Sequence, residues 1–414
     1  GYADGQGAKA KLNAPVDVAV GPGGHVYVSD YANRRIRRIS PDGAVVTVAG
    51  TGKNGYKDGP AKMAEMSRPW GIAVAASGDV FFSDRDNQRI RRLSPDGVLS
   101  YVAGSGSGYT NGKAETARFN GPMGVVVDAH GVVFIGDYGN SRIRKIWNSP
   151  KACAIAGKCY AHGTAGPKTG CQRCDGDKST KAWTVVVDGG VCHDGKLCTG
   201  PSACTKGACA AGKAKICNDG DKCTKDSCDA NSGACAFDPI IGCGGNCKEA
   251  KDCDDGNPCT IGHDCKQGKC QDIGGAVVVS TYSGSGNGYV DGPVAKAKFN
   301  RLQGVDIDAA GTMYIADTYN HRIRKISAAG VVTTIAGNVA TFADGKGKDA
   351  GFQYPADVAA GPGGKLYVAD RVNHRVRVIA KDGMTTTLAG SWAGYVNGKG
   401  DQARFYNPYG IDVT

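Results

Sequence analysis

The sequence predicts an all-β propeller, and three observations carry that expectation. A block recurs at nearly constant spacing, each recurrence holds four short strand signals, and glycine-rich turns separate them. The block Val26-Tyr-Val-Ser-Asp30-Tyr-Ala-Asn33-Arg-Arg35-Ile-Arg37 returns at 80–91, 133–144, 313–324 and 366–377. Anchor positions stand at Pro15, Pro69, Pro122, Leu302, Pro355 and Pro408, in steps of 54, 53, 180, 53 and 53. A unit of about 50 residues with four strands cannot bury its apolar faces alone. Radial stacking buries them and leaves only short, protected edges.

In the first unit the strands are expected at 16–20, 26–29, 35–39 and 45–49, each bounded by Gly, Pro, Asp or Asn. The 64 glycines among 414 residues show no collagen period, which fits many turns and not a fibre. A linker Gly-Tyr-x-Asp/Asn-Gly repeats in step at 1–5, 55–59, 108–112, 288–292 and 394–398, with 341–345 a divergent copy. No apolar run reaches the roughly 18 residues that a membrane-crossing helix needs.

A strand ending in Asp and followed by Asn-x-Arg-Ile-Arg resembles the NHL family, whose propellers have six blades. That resemblance implies a six-bladed ring. Five units are complete and the sixth stops after its first strand at Thr414, so a six-bladed propeller with an incomplete sixth blade is expected. Closing it would take roughly 40 further residues, judged from the repeat length, and the chain therefore reads as a piece of a longer one. A five-bladed ring ranks lower, because it would leave 409–414 redundant with 16–20.

The one long step is too long by about 127 residues, and that excess holds every cysteine. The organisation expected is propeller blades one to three over 1–147, a cysteine-rich insert over 148–275, and the rest of the propeller over 276–414. The insert replaces the connection between the third and fourth strands of unit three. That places it on the face opposite the Asp-x-x-Asn turns. Within it, Cys192-His-Asp-Gly-Lys-Leu-Cys198, Cys217-Asn-Asp-Gly-Asp-Lys-Cys223 and Cys253-Asp-Asp-Gly-Asn-Pro-Cys259 open three modules. These continue with Cys204 and Cys209, Cys228 and Cys235, and Cys265 and Cys270, leaving Cys153, Cys159, Cys171, Cys174, Cys243 and Cys247. The modules resemble the short Asp-Gly/Cys-Thr repeats of secreted bacterial surface proteins. An even, dense count of 18 cysteines reads as a disulfide scaffold of up to nine bridges with unassigned connectivity, and so as an exported or cell-surface protein.

Zinc is disfavoured, since Cys171-x-x-Cys174 and Cys243-x-x-x-Cys247 lie nearly 70 residues apart. Calcium is the one metal kept open, at Asp219, Asp221, Asp226 and Asp229, although no twelve-residue loop with a terminal Glu is present. No other cofactor is expected. The repeated Asp, Asn and Arg (Asp30, Asn33 and Arg35 with their counterparts) serve the fold, because a catalytic site needs one constellation and not five. His321 and His374 occupy a slot filled elsewhere by Arg34, Gln88 and Ser141, which cannot complete a three-ligand zinc site. No hydrolase triad or phosphate-cradling loop is visible, so no enzyme is expected.

What varies between units points to binding. The turns carry Tyr31, Arg34, Arg85, Tyr138, Tyr319, His321, Arg371 and His374, and Trp70 and Tyr409 follow anchor prolines. These should ring one face near the channel, where aromatic and Arg side chains suit recognition. The net charge of +11 belongs almost wholly to the propeller, since residues 148–275 hold 16 basic and 15 acidic residues. The Arg surplus comes from repeated Arg-Ile-Arg strands and reads as spread around the ring, with an anionic cell-surface polymer favoured over nucleic acid. The expected function is extracellular recognition or scaffolding of a protein or glycan. The alternatives are a metal-dependent lyase or hydrolase in the channel, and a purely structural part of a surface assembly.

Overall fold

The computed structural model describes residues 1–147 and 277–413, and between them the backbone of a few short strands. The 18 cysteine side chains and Asp219, Asp221, Asp226 and Asp229 lie outside the described residues. The chain divides into two compact units, 1–147 with 277–414, and 148–276.

The first unit is a propeller of five sheets, each with five antiparallel strands. From rim to channel the first sheet runs Gly5–Gln6, Ala44–Ala49, Arg35–Ile39, Val26–Asp30 and Pro15–Val20. The third sheet joins Arg142–Asn148 to Val277–Ser283, so the long interruption falls between its third and fourth strands. Five blades replace the six expected. The reason lies at residues 409–413, which form no strand among the described residues and bridge the fifth and first blades instead. Ile411 N–H donates to Asp357 Oδ2 at 2.9 Å, and Val20 N–H donates to Asp412 Oδ2 at 2.7 Å. Four apolar clusters join blades one to two, two to three, three to four and four to five. Blade five and blade one meet through this hydrogen-bonded segment.

The fifth strand of each blade comes from the Gly-Tyr-x-Asp/Asn-Gly linker, which was expected only to connect. In the first blade Gly5 and Gln6 pair with Val45 and Ala44. The linker's aromatic ring then lies over an Arg of the sheet it edges. Tyr2 sits 3.8 Å from Arg35, Tyr56 4.1 Å from Arg89, Tyr109 4.2 Å from Arg142, Tyr289 4.1 Å from Arg322 and Phe342 4.0 Å from Arg375. Tyr395, the next copy, is 91% exposed.

Each blade is pinned by one buried polar hub. Asp30 Oδ1 accepts the Asn13 N–H at 2.8 Å, and its Oδ2 accepts from Asn33 Nδ2 and Arg37 at 2.8 Å each. The same ion pair recurs as Asp84–Arg91 at 2.9 Å, Asp137–Arg144 at 2.8 Å, Asp317–Arg324 at 2.6 Å and Asp370–Arg377 at 2.9 Å. The partner is therefore the second Arg of Arg-Ile-Arg. The first Arg turns to the carbonyl of the turn Asn, as Arg35 does to Asn33 at 2.9 Å. Alternation explains the choice: Ile36 faces the apolar cluster, and Arg37 projects to the other face, where a linker acid also waits. Asp4, Asp58, Asp291 and Asp344 bind that same Arg at 2.6, 2.6, 2.5 and 2.6 Å. In the third blade Asn111 accepts from Arg144 at 2.9 Å. Buried charges held by so many partners fix the turn above them, since leaving one unpaired is costly.

Candidate functional site at the channel mouth

Each hub holds a three-residue turn that ends in a left-handed residue: Arg34, Gln88, Ser141, His321 and His374, with φ between 52° and 57°. In four of these five the side chain bonds to the next unit. Gln88 Oε1 accepts the Gly121 N–H at 2.6 Å, and Ser141 Oγ accepts the Arg301 N–H at 3.1 Å. His321 Nδ1 accepts from Tyr354 N–H at 3.2 Å, and His374 Nδ1 from Asn407 N–H at 3.1 Å. Both histidines thus link neighbouring units through their Nδ1 atoms. Burial, with Arg322 nearby, holds the His321 imidazole below its usual 6.5.

The acceptance places a second set of side chains over the mouth. The residue before each anchor has positive φ (Ala14, Arg68, Gly121, Arg301, Tyr354 and Asn407), which turns its side chain out of the sheet. These positions carried no functional signal when the sequence was read alone. The signal was present as a column one residue ahead of the anchor.

The turn residues and the anchor residues meet in an arc. Tyr31 packs edge-on against Trp70 at 5.2 Å, and Trp70 packs against Tyr409 at 5.6 Å. Arg85 lies 4.9 Å over Trp70, and Arg371 4.7 Å over Tyr409. Farther along the ring, Tyr138 and Tyr319 stand 6.1 Å apart, and Tyr319 packs against Tyr354 at 5.1 Å. His321 packs against Tyr354 at 4.6 Å. Tyr138 O–H donates to the Tyr319 hydroxyl at 3.3 Å. Burial and this bond push the Tyr138 phenol up to about 12, whereas the bond and Arg301 lower that of Tyr319. Arg301 itself sits 5.2 Å over Tyr319 and 5.8 Å from Tyr138.

Of the residues expected at this face, Tyr31, Trp70, Arg85, Tyr409 and Arg371 form one contiguous group. Tyr138, Tyr319 and His321 form the other. His374 lies outside both and stacks on Tyr406 at 5.8 Å. Arg34 makes no ring or ion-pair contact with either group among the described residues.

Beneath the arc lies a channel of about 260 Å³, lined by the inner strands and residues 409–413. Four aspartates project into it, and their pattern was not recognised in the sequence. Asp17 accepts from Ile72 N–H and Val18 N–H at 2.9 Å each, and Asp357 accepts from Ile411 and Val358 in the same way. Asp306 accepts from Ala360 N–H at 2.7 Å. Burial pushes Asp17 up to about 7 and Asp306 to about 6, and raises Asp357 well above the ordinary range. Among the described residues no cluster of His, Cys, Asp or Glu is arranged to hold a metal ion.

The family model described as NHL repeat matches residues 299–326 and 352–379, and the Teneurin NHL domain model matches 2–54. The chain contains NHL repeats. Protein SUPPRESSOR OF QUENCHING 1, chloroplastic, of Arabidopsis thaliana is 41% identical over 91 residues, covering 22% of this chain and 9% of that protein. NHL repeat-containing protein 3 of Homo sapiens is 32% identical over 120 residues, covering 28% and 32%. Teneurin-1 of Mus musculus is 22% identical over 404 residues, covering 90% of this chain and 12% of its own length. The chain therefore spans a third or less of each of these relatives. A crystal structure of an auxiliary nutrient binding protein from Bacteroides thetaiotaomicron superposes with a TM-score of 0.50 at 12% identity, covering 99% of this chain and 66% of that one. At that identity the likeness is one of fold. No helix among the described residues is long and apolar enough to cross a membrane.

Proposed function

We propose that this propeller is a non-catalytic recognition module, exported or displayed at a cell surface, that binds a protein or glycan across the turn face. The observation that carries the proposal is the arc Tyr31–Trp70–Tyr409–Arg371. It gathers side chains from the first, second and fifth blades and the closing segment at one channel mouth. Rigid aromatic rings and guanidinium groups are the side chains most enriched at binding hot spots. Edge-to-face packing holds these rings in place before a ligand arrives, which lowers the ordering cost of association.

The repeated polar residues support the non-catalytic part. Asp30, Asn33 and Arg37 and their counterparts are consumed by the blade hubs. Both turn histidines spend a ring nitrogen on a backbone N–H. The surface setting follows from the cysteine-dense segment 148–275. An auxiliary nutrient binding protein among the structural neighbours agrees with a binding role.

The test is a set of glycan and peptide arrays probed with the native chain, Trp70→Ala with Tyr409→Ala, and Asp79→Ala on the opposite face. Signal lost only in the first variant supports the proposal. Signal lost only in the second contradicts it.

A further inference from the structure

We infer, resting on the recognition role above, that the turn face takes an acidic sugar chain whose uronate carboxylates dock at Arg371 and Arg301. The argument begins with where charge remains available. Arg37, Arg91, Arg144, Arg324 and Arg377 are fully buried and held by paired acids. The +11 of the whole chain is therefore not a uniform basic surface.

What is left separates by face. The five turns (31–34, 85–88, 138–141, 318–321, 371–374) and the residue pairs ahead of the anchors (13–14, 67–68, 120–121, 300–301, 353–354, 406–407) carry Arg34, Arg68, Arg85, Arg301 and Arg371 against Asp86 alone. The opposite hairpin turns (21–25, 40–43, 75–79, 94–97, 128–131, 308–311, 327–330, 361–365, 380–383) carry Asp42, Asp79, Asp96, Asp128, Asp308 and Asp382 against Lys365 and Lys381. Among these described turns the charge is positive at one face and negative at the other, which steers an anion to the mouth.

Asp86 engages two of those cations, at 3.3 Å from Arg68 and 3.2 Å from Arg85. Arg371 lies over the Tyr409 ring, and among the described residues its buried Nε has no hydrogen-bond partner. Arg301 is exposed and lies beside the phenols of Tyr138 and Tyr319. A planar guanidinium offers a carboxylate two parallel hydrogen bonds. Between these cations the surface is aromatic and phenolic, with Trp70, Tyr409, Tyr319 and Tyr138 supplying ring edges and a hydroxyl pair. That alternation matches a chain of pyranose rings bearing carboxylates and hydroxyls. An acidic peptide would supply the charge without the flat, hydroxylated rings. The channel below is lined by no Lys or Arg, so the cations that bind the carboxylates stay at the mouth and the chain lies across it.

The experiment is calorimetric titration of the full chain with a galacturonic acid oligosaccharide, its methyl-esterified form, and an oligoglutamate of equal charge. The acid sugar should bind, the ester and the oligoglutamate at least roughly tenfold more weakly. Arg371→Gln or Arg301→Gln should each lose roughly tenfold, as expected for one charge-assisted contact. Asp79→Asn should change nothing, and each variant should melt like the native chain. No binding of the acid sugar, equal binding of the ester, or equal binding of oligoglutamate overturns the inference. If a neutral ligand binds and depends on Trp70, this inference fails while the recognition role stands. If no ligand depends on Trp70, both fail.

Discussion

Gly410 lies directly against Asp17. A Cβ at 410 would overlap the Asp17 carboxylate, approach Asp17 Cα to 2.6 Å and meet the Val16 carbonyl at 3.0 Å. This contact seats the closing segment on the first blade. The contact between Gly304 and Asp357 repeats it, with a Cβ again 2.6 Å from a backbone atom. Because these neighbours are backbone, they cannot move aside.

Gly410→Ala is therefore expected to destabilise the propeller by about 1–3 kcal/mol, the usual cost of overpacking a rigid site. Urea denaturation checks it. Gly97→Ala, whose added Cβ meets nothing, controls for crowding, although its φ of 80° brings backbone strain of its own.

Removing one member of a blade hub should cost more than removing both. Arg91→Met leaves Asp84 buried without its cation, and the loss expected is about 3–5 kcal/mol. Pairing it with Asp84→Leu should recover much of that loss. The Asp84 carboxyl, raised to about 6 by burial against the pull of Asn87 and Arg91, should titrate still higher in Arg91→Met. Carboxyl-carbon NMR reads that shift, and no change would exclude Arg91 as a stabilising partner.

Much of this architecture was legible in the sequence because strand and turn signals alternate at short range. The expected 35–39 strand is Arg35–Ile39, and the neighbouring strands differ by one residue at an end. The outermost strand was missed because two residues, such as Gly5–Gln6, show no alternation. Arg35 was the Arg grouped with Asp30 and Asn33, whereas the buried partner is Arg37, since a charged residue in an exposed-looking Arg-Ile-Arg gives no sign of complete burial. The blade count depended on how residues 409–413 meet Val20 and Asp357, which are 392 and 54 residues distant in the bonds they make. At the mouth, Trp70 and Tyr409 stood out as unlike their counterparts. Arg68, Arg301 and Tyr354 did not, because their placement follows from a positive φ that only the three-dimensional turn imposes.

His321 gives a pH signature. Its folded value lies below the unfolded 6.5, so its contribution is complete above about 6.5. It is lost as pH falls below that, because the unfolded chain takes up the proton first. His321→Gln should keep the bond to Tyr354, as Gln88 keeps its bond to Gly121, and flatten that limb of the stability curve. Melting temperatures at pH 7.5 and 5 compare the two chains. An unchanged difference would rule out the acceptor role.

Asp17 predicts the opposite slope. Its carboxyl is raised to about 7, first by burial, so the folded chain keeps a proton that the unfolded chain releases near 3.8. Stability from this site is therefore lost as pH rises from about 4 to about 7 and is constant above. Carboxyl NMR of the native chain should show a resonance titrating near 7 that disappears in Asp17→Asn.

Hydroxyl-radical footprinting with the acid oligosaccharide at saturation tests the recognition surface most directly. Protection at Tyr31, Trp70, Tyr319 and Tyr409, with Tyr56 and Tyr395 at the blade edges still oxidised, is the predicted result. Protection of the edge aromatics with the mouth left reactive would contradict it.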